Sequence, residues 1–186
     1  MASSYSADLK LELMATGEKS GLWGDITNTN LTILQQAIAG YEEVSIAGGV
    51  QTTPLVFSNG LVSDGKNAVI KFTGTITGNQ TVTIPNSIEK TYTIINGTTG
   101  AFTVEFKTVS GTGFTFAAAD KGTRLAYADG TNVVDVNAAF TTISQFTLPT
   151  ADGTADQALI TDASGNLSFS GPFATNGKAI AFAIVF

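Results

Sequence analysis

Phe102, Val104 and Phe106 alternate with Thr103, Glu105 and Lys107, and this two-residue rhythm returns in short bursts along the middle of the chain. Successive side chains of a strand point to opposite faces, so the rhythm predicts half-buried β-strands. Ile70 and Phe72, Val82 and Ile84, Tyr92 and Ile94, Phe114 and Phe116, and Leu125 and Tyr127 repeat it. Turn formers stand between the bursts: Asp64-Gly65, Gly78-Asn79, Pro85-Asn86, Asn96-Gly97, Gly111-Thr112-Gly113 and Asp129-Gly130. A parallel α/β fold needs helices between its strands, and none is visible there. The spacing predicts a mainly β chain whose body, 51–137, is an antiparallel β-sandwich, with a jelly roll as one form of it.

The flanks differ from the body. Over 1–50, Asn30 reads as the N-cap of one short helix, about ten residues long, with Leu31, Leu34 and Ile38 on one face and Gly40 as its stop. Before it, Leu9, Leu11 and Leu13 alternate with charged residues as a strand would. Over 138–186, apolar patches at Ile143–Phe146, Ala158–Ile160 and Leu167–Phe169 are divided by Pro149, Asp152-Gly153 and Gly165-Asn166, which predicts a β-structured C-terminal segment. Its last strand sets Ile180, Phe182, Ile184 and Phe186 on one side and small residues on the other. Burying those four side chains is worth at most about 6–12 kcal/mol. Uncovered, the segment would be an aggregation hazard, so it is expected either to complete its own subunit's core or to lie between identical subunits.

Composition removes several kinds of function. Hydrophobic residues make up 43% and charged residues 13%, the reverse of what disorder requires. With a net charge of −6, a single arginine, Arg124, and scattered lysines, the chain lacks the basic stripe that nucleic-acid binding needs. No cysteine and no histidine occur, which excludes disulfides, thiol nucleophiles and histidine-based triads and takes away the commonest metal ligands. Met1–Met14 has no apolar core of the kind a secretory signal carries, and the apolar run at Ala179–Phe186 is far shorter than the ~20 residues of a membrane-spanning helix. The expectation is a chain with no membrane partner and no cofactor.

Carboxylate pairs could cleave glycosides, and the pairs here are Glu42 with Glu43, Asp129 with Asp135, and Asp152 with Asp156. The glutamates follow a helix end, and the aspartates stand in turn contexts that already account for them. Asp162–Asn166 resembles a calcium loop in composition but lacks the alternating ligands and terminal glutamate of an EF-hand. Gly111-Thr112-Gly113 is not followed by a helix bearing a lysine, so it is no phosphate loop. No catalytic, metal or cofactor residue is assigned, and the chain is expected not to be an enzyme.

Gly21-Leu22-Trp23-Gly24-Asp25-Ile26-Thr27-Asn28-Thr29-Asn30-Leu31 holds the only tryptophan. Taken locally, Trp23 would pack on Leu34 and Ile38. The same Gly-x-Trp-Gly-x-x-Thr-Asn-x-Asn-Leu pattern resembles the opening of many tailed-phage fibre and minor virion proteins, especially of marine and cyanobacterial phages. Leu148–Asp162 is similar to a repeated fibre element of the form Leu-Pro…Asp-Gly-Thr…Gly-Gln-x-Leu, with Asp156 where glycine is usual. Gly177-Lys178-Ala179-Ile180-Ala181 resembles such proteins as well.

The resemblance implies a virion component attached to tail or neck, commonly a homotrimer, whose partners are its own copies and other virion proteins. A capsid decoration or head-fibre protein, and a carbohydrate-binding module for a host surface glycan, are the alternatives. For the last, Tyr5, Tyr41 and Trp23 are the aromatics expected to be free. Trp23, Asn28, Asn30, Leu31, Leu34 and Ile38 are the expected docking residues, and Ile180, Phe182, Ile184 and Phe186 the expected oligomer strand.

Overall fold

The computed structural model describes residues 3–136, 142–143, 146–149, 151, 153–154 and 157–171. The chain divides into two units, Met1–Asn137 and Ala138–Phe186. The first opens with a short antiparallel hairpin, β1 (Ser4–Tyr5) on β2 (Glu12–Leu13), so the alternation at Leu9–Leu13 yields only two strand residues. Helix α1 (Trp23–Ala39) follows. Then come β3 (Tyr41–Ser45), β4 (Gln51–Pro54), β5 (Val69–Thr73), β6 (Gln80–Ile84), β7 (Glu89–Asn96), β8 (Val104–Thr108), β9 (Gly113–Phe116), β10 (Thr123–Asp129) and β11 (Val133–Asp135).

These strands build two sheets, β11-β10-β7-β5-β3 and β4-β6-β8-β9. The mainly β, sandwich-like body expected from the sequence is present, but its pairing is mixed rather than wholly antiparallel, and parallel pairs do not belong to a jelly roll. β3, β5 and β7 are mutually parallel, as are β4, β6 and β8. The chain alternates between the sheets, so the strand of one sheet is the crossover that returns the chain to the other. A parallel pair needs a crossover of a dozen or more residues, and a helix is only one way to supply it. β9 then folds back on β8, and β10 on β7, both antiparallel, which ends the coil.

Winding of this kind sets residue i over residue i+24. Thr99 Oγ1 donates to Thr75 Oγ1 at 2.9 Å, Asn86 Nδ2 to Ser110 Oγ at 3.0 Å, and the Thr103 amide to Asn79 Oδ1 at 3.2 Å. The corners are thereby held by side chains one turn apart. The first turn is longer, since Glu43 stands beside Lys71, and its surplus residues form the loop between β4 and β5, which includes a 3-10 turn at Asp64–Lys66.

Ile70, Phe72, Val82, Ile84, Tyr92, Ile94, Val104, Phe106, Phe114 and Phe116 all enter one core between the sheets. Phe106 sits at its centre, with ring centroids 5.7 Å from Tyr92, 5.9 Å from Phe114 and 6.0 Å from Phe72. Two expectations about the core fail. Phe102 lies ahead of β8 and is partly exposed. On β10 the inward residues are Ala126 and Ala128, while Leu125 and Tyr127 face outward. Ala126 pairs with Tyr92, whose phenol ring already fills that space, so a small neighbour is what fits.

Among the described residues, two lysines are buried without a carboxylate partner. Lys66 Nζ donates to the carbonyls of Ser58 and Leu61, both at 2.6 Å, and Lys90 Nζ to the carbonyls of Asn67 and Thr91 while lying 4.1 Å from the Tyr92 ring centroid. Burial lowers each to about 8, with Lys10 adding repulsion at Lys66. Between about pH 8 and 10.5 the unfolded chain therefore binds more protons than the folded one, and stability rises with pH across that window. Burial raises the Tyr92 phenol, so the gain reverses above about pH 10. The unfolding free energy from urea titrations should climb from pH 7.5 to 10, by on the order of 1–3 kcal/mol in all, the larger part from Lys90. Lys90→Met should flatten the rise; an unchanged slope would show that Lys90 titrates normally.

In the second unit, β12 (Thr142–Ile143) pairs with β13 (Phe146–Thr147), and β14 (Leu159–Thr161) with β15 (Leu167–Phe169), all antiparallel. The C-terminal segment is β-structured in its described part. Ile180, Phe182, Ile184 and Phe186 lie outside the described residues.

Candidate functional site

Helix α1 gathers most of the residues that the sequence singled out, and it differs from the expected helix in three ways. It has 17 residues and starts at Trp23, with Leu22 as a cap that makes no side-chain bond. Thr27, Thr29 and Thr32 each donate a hydroxyl to the carbonyl four residues earlier, which satisfies three side chains that otherwise favour turns. Asn30 is therefore no N-cap but an interior residue. Its side chain accepts from the Glu12 amide at 3.0 Å and donates to the Glu12 carbonyl at 2.9 Å, clamping the helix to the β1–β2 hairpin.

The third difference is which face is buried. Ile33 is fully covered and Ile26 and Ala37 are partly so, whereas Trp23, Leu31, Leu34 and Ile38 are 66%, 57%, 37% and 79% exposed. Trp23 does not close a local core. At 3.6 residues per turn the exposed four fall within about 80° of one another, and their centre is turned about 120° from Ile33. The helix thus carries two apolar stripes, of which its own body covers one. Asn28 is exposed beside the second.

Gly40 does end the helix, and its amide bonds the Gln36 carbonyl at 2.9 Å. Its backbone is extended; glycine is required because a Cβ would lie 2.3 Å from Asn67 Oδ1 and 2.5 Å from the Gln36 oxygen. The chain passes directly into β3, which fixes α1 to the edge of the five-stranded sheet. The Ala68 amide also bonds the Gln36 carbonyl, tying the helix end to the segment before β5. The edge itself is guarded. Glu42 shares the inner face of the sheet with Ile70 and Val44, and Pro54 ends the edge strand β4. An inward charge and a proline are both ways of discouraging strand addition.

Two of the three carboxylate pairs fall within the described residues. Glu42 and Glu43 are consecutive on β3 and point to opposite faces. Glu43 accepts from Lys71 at 2.9 Å and from the Tyr41 hydroxyl at 2.6 Å, and these two bonds hold its carboxyl below the usual range. Asp129 Oδ1 caps the amides of Thr131 and Asn132 in the turn before β11. Asp135 is bonded to Arg124, which also holds Asp120 at 2.7 Å and lies over the rings of Phe116 and Phe114. Asp152 and Asp156 lie outside the described residues.

Asp162 accepts from the Ser164 and Asn166 amides and from Asn166 Nδ2, so its carboxylate is occupied in closing the β14–β15 turn. No group of three or more possible acidic metal ligands occurs among the described residues, and no described helix is long and apolar enough to cross a membrane.

Two open hollows are lined by uncharged residues. One, of about 470 Å³, is bounded by Phe146, Thr161, Ala163, Ser164 and Gly165; the other, of about 280 Å³, by Asn86, Ser110, Gly111, Gly130 and Thr131. Neither brings a shifted titratable group into a cleft, the usual mark of a reaction site. Tyr5, Tyr41 and Trp23 are exposed as expected, and Tyr127 joins them. No family model, curated protein or solved structure matches the chain.

Proposed function

We propose that the protein is a structural subunit of a tailed-phage particle, a tail-associated, fibre-like protein that assembles as a homotrimer and catalyses no reaction. The observation that carries the reading is the uncovered stripe of α1. A helix locked to a rigid two-sheet body presents apolar surface that the body leaves in water, as a component awaiting assembly does. Two of the stripe's four large side chains, Trp23 and Leu31, lie in the segment Gly21–Leu31 that resembles the openings of phage fibre and minor virion proteins. A body whose corners are tied by Thr, Asn and Ser contacts from turn to turn is suited to bearing load rather than to changing shape.

The test is placement in purified particles. An antibody raised against the 41–136 body should decorate the tail or neck in electron micrographs. Decoration of the head would overturn the tail assignment in favour of a capsid decoration protein. Particles that contain none of the chain by mass spectrometry would overturn the virion role altogether.

A further inference from the structure

The second stripe of α1 has the geometry of a helix-bundle seam. Gly24, Thr27, Leu31, Leu34 and Ile38 are spaced three, four, three and four residues apart, the heptad spacing that keeps one face toward a like helix. Trp23 stands beside the first of these positions and widens the stripe beyond a strict two-helix seam, which is the wider face that helices of a larger bundle present. It also supplies bulk at the end where Gly24 and Thr27 are small. Asn28 and Gln35 flank the seam on the side away from the body, offering polar contacts between helices.

We infer that this stripe is the seam of a parallel three-helix bundle formed with the α1 helices of two further copies of the chain. The inference rests on the homotrimer in the proposed function and names the surface that makes it. Charge selects a like partner: Asp25 is the only charged residue in α1, so an oppositely charged protein finds nothing to pair with, and identical helices meet almost without repulsion. The helix holds no lysine or arginine, unlike helices that lie on membrane surfaces.

The width of the stripe selects the number of copies. The four exposed side chains present on the order of 400 Å² per chain. A single partner helix faces only the middle of a stripe about 80° wide, whereas in a three-helix bundle two neighbours flank each stripe and the three copies together bury on the order of 1,200 Å² over three contacts. Closed three-fold symmetry makes the helices parallel. The guarded edges at β3 and β4 direct association to the helix rather than to strand addition.

The experiment uses the full chain. Sedimentation at micromolar concentration should give three times the monomer mass. Leu31→Asp with Leu34→Asp should give the monomer mass with an unchanged far-ultraviolet circular dichroism spectrum, because both side chains face solvent in the single chain. The protein has no cysteine, so single introduced thiols report proximity. Ile38→Cys should form disulfide-linked dimers within the trimer on oxidation, and Thr32→Cys, exposed on the far side of the helix, should not. A monomeric or dimeric wild type, a trimer that survives the double substitution, or equal cross-linking at both positions overturns the seam. A trimer found with no place in the particle would leave the seam standing and remove the virion role.

Discussion

Replacing Phe106 by alanine is expected to lower the unfolding free energy by about 3–5 kcal/mol, enough to unfold a large fraction of the chains at modest urea. Phe106 is fully buried and its ring contacts rings from both sheets: Phe72 on β5 and Tyr92 on β7 across the core, and Phe114 on β9 beside it. The cost is set by how far the surroundings can collapse into the space left behind. Here they can move little, because β8 is held by β6 on one side and β9 on the other and both sheets share the same core. Phe106→Leu keeps much of the volume and should cost about 1–1.5 kcal/mol. Urea titrations at one fixed chain concentration measure both, since oligomers shift apparent stability with concentration. A loss below 1 kcal/mol for the alanine variant would mean that the two sheets do not depend on this ring.

The second large effect is predicted at a corner of the coil. Gly100 has φ +104°, and a Cβ there would lie 2.2 Å from the Ile76 carbonyl oxygen. That approach arises because the Thr75–Gly100 corner stacks two turns directly: Thr75 and Thr99 form a parallel bridge and the Ile76 amide bonds the Thr99 carbonyl at 2.9 Å. Gly100→Ala therefore combines backbone strain of about 1–2 kcal/mol with a clash that must push the two turns apart, costing a further 1–3 kcal/mol or so. Gly130 separates the two effects. Its φ is +85°, but the nearest atom to an added Cβ is 3.5 Å away. Gly130→Ala should lose only the backbone part, about 1–2 kcal/mol. Equal losses at the two glycines, read from thermal unfolding, would show that the corner gives way without cost.

Much of the body was legible in the chain. Alternation at Ile70–Phe72, Val82–Ile84, Tyr92–Ile94 and Phe114–Phe116 named core residues correctly, because on a strand the face of a side chain follows from its neighbour's. The turn pairs likewise fell at or between strand ends, since glycine and asparagine act through their own backbone. Two features of the chain have no two-residue rhythm to mark them. One is the 24-residue self-similarity that sets Ile94 over Ile70 and Phe106 over Val82. The other is which face of α1 the body covers: Leu31, Leu34 and Ile38 are its larger residues and the ones expected to dock, while the covered face relies on Ile26, Ile33 and Ala37.

What the sequence alone determined is that short strands and tight turns build a mainly β chain, and which residue pairs share a face. The tertiary structure decided which of two faces looks inward: at β10 the space already filled by Tyr92 admits Ala126 and turns Leu125 and Tyr127 to solvent. It decided that β3, β5 and β7, and likewise β4, β6 and β8, run parallel, because the crossover between them is a strand of the opposite sheet. It decided as well that Trp23 stands free on a helix begun seven residues before Asn30. Periodicity fixes that a face is apolar; what covers that face depends on residues far away in the chain.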